Sequence, residues 1–351
     1  MKIAFVTDTH FGCREGRVIF HDFFEKFYRN VFFPRLKEEG ITEVLHLGDC
    51  FDRRKYIDYY SLKRCKEYFF DAAKEAGVRI HMLVGNHDIA LRNSLSINSP
   101  ELLLQDYDNI IPISKPTDIT LVDGTKFLML PWVCADNYHE SMSMLENSRA
   151  DLLCGHLEIS GFSMYRGMES HDGFEANLFS RFDMVFSGHY HHRSSRGRIN
   201  YLGNPYELTH MDSGDPRGFH IFETSTRELT FIENPYTMFE RIVYDDTNTD
   251  YRGIDVSLFS EKFVKVVVQK KNDYYAFDNF MDRLYNCGAH DIKVMESVSE
   301  MTSDEMDESL DIEDTQSILQ HYIESSQVDV DRTELAKYMK QLYVEAVNIS
   351  L

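Results

Sequence analysis

Five short segments of this 351-residue chain share one arrangement, an apolar run that stops at residues able to ligate a metal ion. Asp8 and His10 follow KIAFVT, Asp49 follows EVLHLG, Asn86 and His87 follow RIHMLVG, His156 follows DLLCG, and His189 and His191 follow DMVFSG. Carboxylate oxygen, amide oxygen and imidazole nitrogen form a mixed donor set. Such a set suits Mn2+, Fe2+ or Zn2+ better than Mg2+ or Ca2+, which prefer all-oxygen shells. Asp49 is the natural bridge, because a carboxylate can give one oxygen to each of two cations. The seven residues Asp8, His10, Asp49, Asn86, His156, His189 and His191 suffice for two ions about 3.5–4 Å apart. Ions so placed activate a water and clamp phosphate oxygens for in-line attack, so the chemistry indicated is hydrolysis of a phosphoester. A single histidine among the fifteen in this chain would carry no such weight. His21, His46, His81, His139, His171, His210 and His220 have no motif around them and are read as surface or core residues, and His192 is left out as facing away from His191.

His87 directly follows a ligand and is read as the imidazole that stabilises the transition state and protonates the leaving oxygen. It needs a partner to hold its tautomer. The Asp52 carboxylate, three residues after Asp49, is the candidate, and Asp88 is the competing one. Arg53 either contacts phosphate or closes a salt bridge. Together with Arg14, Arg54, Lys55, Arg92, Arg166 and Arg193 it is a candidate for a phosphate track.

Positioning these groups requires strands whose ends meet. Asp8 and His10 are two apart, so in extended chain their side chains leave one face, and His189 and His191 share that spacing. Each pair is expected to serve one point. The apolar runs imply strands buried on both faces. VFFPRLKEEG and SLKRCKEYFFDAAKEAG read as helices ending at Gly40 and Gly77. The expected fold is α/β, an αββα sandwich of two sheets with helices outside, over residues 1–235. A smaller α+β unit follows over 236–298, from the strand EKFVKVVVQ, the helix AFDNFMDRLYNCG and the strand AHDIKVMESV. Residues 296–314 hold nine carboxylates and no Lys or Arg, and 299–314 is read as a solvated acidic linker. Over 315–351 the pattern turns helical. Asp331 with Glu334 makes a capping box, Val330 staples onto Leu335, and Leu335, Met339, Leu342 and Ala346 share a face. That helix either docks a partner or straps the chain's own core.

The formal net charge of −21 does not exclude a polyanionic substrate. Residues 236–351 hold 24 acidic and 11 basic side chains, which leaves 34 and 26 in residues 1–235, a net of −8. Two bound divalent cations add about +4 at the site itself. MKIAFV is too short for a signal peptide, no run is long enough to span a membrane, and the six cysteines are scattered without a CxxC pair. A cytoplasmic, reduced protein is expected.

In order and spacing, D-T-H, G-D-C-F-D-R, G-N-H-D, G-H and G-H-Y-H resemble the motifs of the calcineurin-like metallophosphoesterases. The segment YLGNPYELTHMDSGDPRGFHIFE resembles the strand–turn–strand that follows in the SbcD-type, meiotic-recombination-eleven family of DNA repair nucleases. LPWVCADN and GHLEISGFSMYRGMESH look most like the tailed-phage members. The resemblance implies Mn2+-dependent exonuclease and endonuclease activity on DNA, with the seven ligands carried over position by position. It implies that residues 236–298 form a cap domain. It also implies a homodimer formed within residues 20–105, an SbcC-type, SMC-like ATPase partner gripped by the C-terminal helices, and a host-cell cytoplasmic location if the protein is phage-encoded. Archaeal and eukaryotic members carry a histidine where Asp52 stands, so Asp52 leaves His87 as the lone imidazole catalyst. The competing reading is a small-molecule or protein phosphatase of the same fold, which would need neither the cap unit nor the terminal helix.

Overall fold

A computed structural model describes residues 1–165 and 168–296, with Leu335, Tyr338 and Met339 in helical conformation. Arg166, the 299–314 linker and all else of the 315–351 segment lie outside the described residues. The chain divides into two units, Met1–Leu208 with Asp212–Met238, and Thr209–Met211 with Phe239–Leu351.

The principal strands of the first unit are β1 (Lys2–Val6), β2 (Glu43–His46), β3 (Arg79–Leu83), β4 (Ile110–Ile113), β5 (Thr117–Thr120), β6 (Lys126–Leu130), β7 (Leu152–His156), β8 (Met184–Gly188), β9 (Ser194–Arg196), β10 (Ile199–Tyr201), β11 (Gly218–Glu223) and β12 (Glu228–Glu233). They form two six-stranded sheets, ordered β12-β11-β1-β2-β3-β4 and β9-β10-β8-β7-β6-β5. β1 to β4 run parallel in the first sheet, and β6, β7, β8 and β10 run parallel in the second. Antiparallel pairing is confined to β1–β11 and β11–β12 in the first sheet and to β5–β6 and β9–β10 in the second.

β1 and β2 are buried on nearly every residue because each sheet is covered twice. One face of each sheet meets the other across Ile3, Phe5, Leu45, Phe127, Met129, Leu152, Phe186 and Phe222. The outer face of the first sheet lies under the helices α1 (Val18–Phe27), α2 (Phe33–Glu38), α3 (Tyr59–Cys65) and α4 (Asp71–Glu75). Phe27, Tyr28, Phe32, Phe69 and Phe70 pack there ring on ring. The outer face of the second sheet packs Leu128, Leu153 and Val185 against Leu145 of α5 (Tyr138–Asn147) and against Phe179. This is the expected two-sheet α/β architecture. π-helical turns at Tyr28–Phe32 and Lys66–Phe70 interrupt the two long helices, a break that no Pro or Gly at those positions announces.

The second unit is a parallel three-stranded sheet of β13 (Phe239–Asp245), β14 (Phe263–Lys270) and β15 (Asp291–Met295). Helix α6 (Tyr274–Tyr285) covers it through Phe277, Phe280, Met281 and Leu284. Asp273 caps that helix by accepting from the Ala276 N–H. All six cysteines are free thiols. No helix among the described residues is long and apolar enough to cross a membrane.

Candidate metal centre

Parallel strands place their carboxyl ends on one side of a sheet, where open α/β folds bind ligands. Here β1, β2 and β3 of one sheet and β7 and β8 of the other end together. They carry Asp8 and His10, Asp49 and Asp52, Asn86 and His87, His156, and His189 and His191 respectively. The main chain weaves these ends into one surface: Asp8 N donates to Gly48 O at 3.0 Å and His10 N to Asp49 O at 3.1 Å. Glycines allow the approach. A Cβ on Gly48 would lie 2.4 Å from His156 Nδ1, one on Gly85 2.2 Å from Asp49 Oδ1, and one on Gly188 2.1 Å from Thr7 Oγ1.

Three groups of donor atoms result. Asp8, His10 and His191 form the first, Asp49, His156 and His189 the second, and Asp52 and His87 make a third that shares His10 with the first. In the first, His10 Nε2 faces His191 Nε2 at 3.0 Å. In the second, Asn86 Oδ1 lies 2.9 Å from His156 Nε2 and 3.1 Å from His189 Nδ1. Asp49 Oδ2 stands between the groups, 3.2 Å from His156 Nε2 and 3.8 Å from His10 Nε2. All seven ligand candidates therefore converge. The pairing expected for His189 and His191 is corrected, because they serve different groups. β8 stops at Gly188 and His189 adopts φ 82°, so the 189–191 stretch is not extended. Asp8, His10 and Asp49 also have positive φ, at 52°, 43° and 51°. Four non-glycine residues in this costly region at one site indicate backbone held by its surroundings.

The donor set fits divalent cations. His156 Nδ1 lies 2.8 Å from the Leu47 carbonyl, which only accepts, so Nδ1 carries the proton. In the neutral imidazole, Nε2 then presents a lone pair toward two oxygen acceptors, Asp49 Oδ2 and Asn86 Oδ1. Three lone pairs meeting in a buried space need a positive charge among them. Ligands about 2.1 Å from an ion and at right angles to one another are separated by roughly 3 Å, which is the spacing found here. Protonation reports the same demand. Burial opposes charge on His10 and His156, yet the nearby aspartates, Asp52 and then Asp49 for His10 and Asp49 and Asp8 for His156, raise both to about 9. Burial drives His189 down to about 3, assisted by the charge of His156, and holds His191 well below the usual value. The Asp49 carboxyl, despite burial, is held far below the usual range by His156 and His87.

His87 lies beside this centre, its ring centroid 4.9 Å from that of His10. Its N–H donates to Asp49 Oδ1 at 2.8 Å and its Nδ1 lies 2.6 Å from the main-chain carbonyl of Asp52. The expected Asp52–His87 contact is therefore made by the carbonyl and not by the carboxylate. The Asp52 carboxylate turns instead to His10 Nδ1 at 3.3 Å. Asp88 is not the orienter either. It is fully buried and accepts from the N–H groups of Cys50, Phe51 and Gly85, tying the second motif to the third.

Among the candidate phosphate contacts, Arg53, Arg54 and Lys55 line a cavity of about 150 Å3 together with Tyr56, Ile97 and Leu102. Arg53 neither closes a salt bridge to Asp52 nor stands alone. It donates to the Tyr56 hydroxyl and lies over that ring. Arg92 is exposed in the hairpin after Leu91, and Arg193 is exposed and stacked on Phe231. Arg14 is half-buried and donates to the Leu208 carbonyl at 3.1 Å.

Two contributors had no motif to mark them. Trp132, the only tryptophan in the chain, walls the second group, its ring 5.0 Å from His189 and 6.1 Å from His156. It follows the end of β6, so a strand end among strand ends was the available signal. Arg217 is buried and donates to the carbonyl of His191. His46, buried and held neutral near 3 by burial, braces Thr9 Oγ1 and the Gly48 N–H, a structural role in keeping with the sequence reading.

A family model described as calcineurin-like phosphoesterase matches residues 1–193. Exonuclease subunit 1 of Enterobacteria phage T4 is 32% identical over 314 residues, covering 88% of this chain and 89% of its own. A nuclease SbcCD subunit of Staphylococcus saprophyticus is 21% identical over 266 residues, covering 66% of this chain and 67% of its own. Among solved structures, an archaeal phosphodiesterase aligns at 14% identity and a TM-score of 0.33, over 67% of this chain and all of its own.

Proposed function

The chain belongs to the calcineurin-like phosphoesterase family, and from that premise we propose that it is a DNA exonuclease and endonuclease working with two divalent cations, Mn2+ foremost. The observation that carries this reading is the pair of donor groups meeting across Asp49, in a chain similar along most of its length to a phage exonuclease subunit. Asp8, His10 and His191 would hold one cation, Asn86, His156 and His189 the other, and Asp49 both. When bound, the cations supply Lewis acidity and a hydroxide-strength nucleophile at neutral pH. The protein supplies the rest. Because the Asp52 carbonyl fixes His87 Nδ1 as the protonated nitrogen, Nε2 is the end free to meet the substrate. As an imidazolium it donates toward the phosphoryl oxygens and the departing oxygen. The basic rim of Arg53, Arg54 and Lys55 next to Asp52 supports a polyanion lying across the site.

The names of both relatives, each a subunit of a nuclease, support a partner. We assign an SMC-like, SbcC-type ATPase to that role, bound through residues 315–351. Deleting those residues should abolish ATPase binding. The exposed Tyr56, Ile97 and Leu102 line one cavity inside residues 20–105, which supports a homodimer.

The test is hydrolysis of linear duplex DNA and of p-nitrophenyl phosphomonoesters with Mn2+, with and without the ATPase. DNA cleavage is the expected result. Monoester hydrolysis with no DNA cleavage under either condition would replace the nuclease with a phosphatase.

A further inference from the structure

The segment after the fifth motif holds the main chain of both ligand turns of the first donor group. Arg217 precedes β11 in the first sheet, whereas His191 follows β8 in the second. The Arg217 guanidinium donates through Nη1 to the His191 carbonyl and to Asn204 Oδ1. Its Nη2 pairs with Asp212 Oδ1 at 2.6 Å and with Asp215 Oδ2 at 3.0 Å. Asp212 is itself fixed by the Leu208 N–H at 2.7 Å, and Asp215 accepts from His192 Nδ1 at 2.8 Å. The His191 carbonyl also receives the Asn204 N–H at 3.3 Å. Gly203 permits this approach, since a Cβ there would lie 2.8 Å from that carbonyl. From the same segment, the fully buried Tyr206 donates its hydroxyl to the carbonyl of Thr9 at 2.6 Å, between Asp8 and His10. The second donor group has supports of its own: His156 is fixed by Leu47 O, and His189, two residues before His191, is held through its main-chain N–H by Asp8 Oδ1 at 3.0 Å.

We propose that Arg217 and Tyr206 are positioning residues that set the geometry of the Asp8–His10–His191 cation site selectively, leaving the site of Asn86, His156 and His189 to its own supports. The inference rests on the two-cation reading above. A planar fork that reaches two acceptors and two carboxylates at once is what fixes a carbonyl in place. A lysine keeps the charge but not the fork. Outer partners of this kind govern metal affinity by about 10–100-fold.

The experiment titrates the full chain with Mn2+ alone, following free Mn2+ by electron paramagnetic resonance for stoichiometry and affinity. Trp132 fluorescence, quenched by Mn2+ at the neighbouring His156–His189 site, reports that site separately. In Arg217→Lys the fluorescence midpoint should stay at the wild-type value while one of the two Kd values rises about 10–100-fold. Tyr206→Phe removes a single hydroxyl, should fold as the wild type does, and should weaken the same site by a smaller factor. It decides the matter if Arg217→Lys gives no cooperative melt. Unchanged affinity at both sites, or both sites weakening together with the fluorescence midpoint, overturns the proposal. A wild-type chain that binds fewer than two Mn2+ overturns the two-cation reading itself.

Discussion

In the metal-free protein, protons on His10 and His156 offset the buried negative charge, which makes stability depend on pH with a definite sign. Both imidazoles are raised from 6.5 in the unfolded chain to about 9 when folded, against the cost of burial, by the surrounding aspartates. A group raised on folding stabilises fully below its unfolded value, and that contribution fades as pH climbs to its folded value. The rise in one imidazole is worth roughly 3 kcal/mol, and the pair less than twice that because both draw on Asp49. For a unit of this size, one imidazole alone corresponds to roughly 6–12 °C in Tm. The window is set by the other groups. His46, His189 and His220 are pushed down to about 3 by burial, so they destabilise only below 6.5. The buried thiols of Cys13, Cys50, Cys65 and Cys154 are pushed up by burial and matter only near and above 9. Thermal unfolding of chelator-stripped protein, followed by calorimetry between pH 6.5 and 8.5, should therefore show Tm falling as pH rises. Asp49→Asn should flatten the slope. Adding Mn2+ should reverse it, because ligation displaces those protons and affinity grows with pH. A metal-free Tm that holds level or rises across the window would show that His10 and His156 are not protonated as their aspartate neighbours require.

Three substitutions follow from the same geometry. His87→Ala should keep both Mn2+ ions and lower kcat on DNA by about 10²–10⁴-fold, and an unchanged kcat would remove the assigned role. Asp52→Ala should spare the orientation of His87, since the main-chain carbonyl remains. Its cost should appear as weaker Mn2+ affinity on the His10 side, and a kcat loss as large as that of His87→Ala with normal Mn2+ binding would contradict this. Gly85→Ala brings a Cβ within 2.2 Å of Asp49 Oδ1 and should weaken both cation sites, as read by Mn2+ binding. Wild-type affinity there would show that the third-motif loop yields more readily than its packing implies.

The positions that converge were legible because their signal is local: an apolar run gives the strand, and the polar residue at its end gives the candidate donor. The two-sheet fold was legible for the same reason, since runs such as KIAFV and DMVFS have no polar alternation and must be covered on both sides. The distribution of ligands between the groups was not. It depends on backbone torsion at His189, where positive φ sends His191 toward His10 and leaves His189 with Asn86. A period-of-two rule assumes extended chain; beyond a strand end the local turn decides, keeping Asp8 with His10 but parting His189 from His191. Asp52 shows a related limit: residue type drew attention to the carboxylate, while the contact to His87 is made by a carbonyl that any residue would supply. Arg217 and Tyr206 act on turns far away in sequence, through atoms of the main chain, and no spacing rule links them to His191 or Thr9.

Two cations sharing Asp49 is the arrangement on which the chemistry depends. Crystals soaked in Mn2+ and measured at an anomalous-scattering wavelength would locate them. Two peaks about 3.5–4 Å apart are expected, one against Asp8, His10 and His191, the other against Asn86, His156 and His189, with Asp49 touching both. A single peak, or two peaks without Asp49 between them, would contradict it.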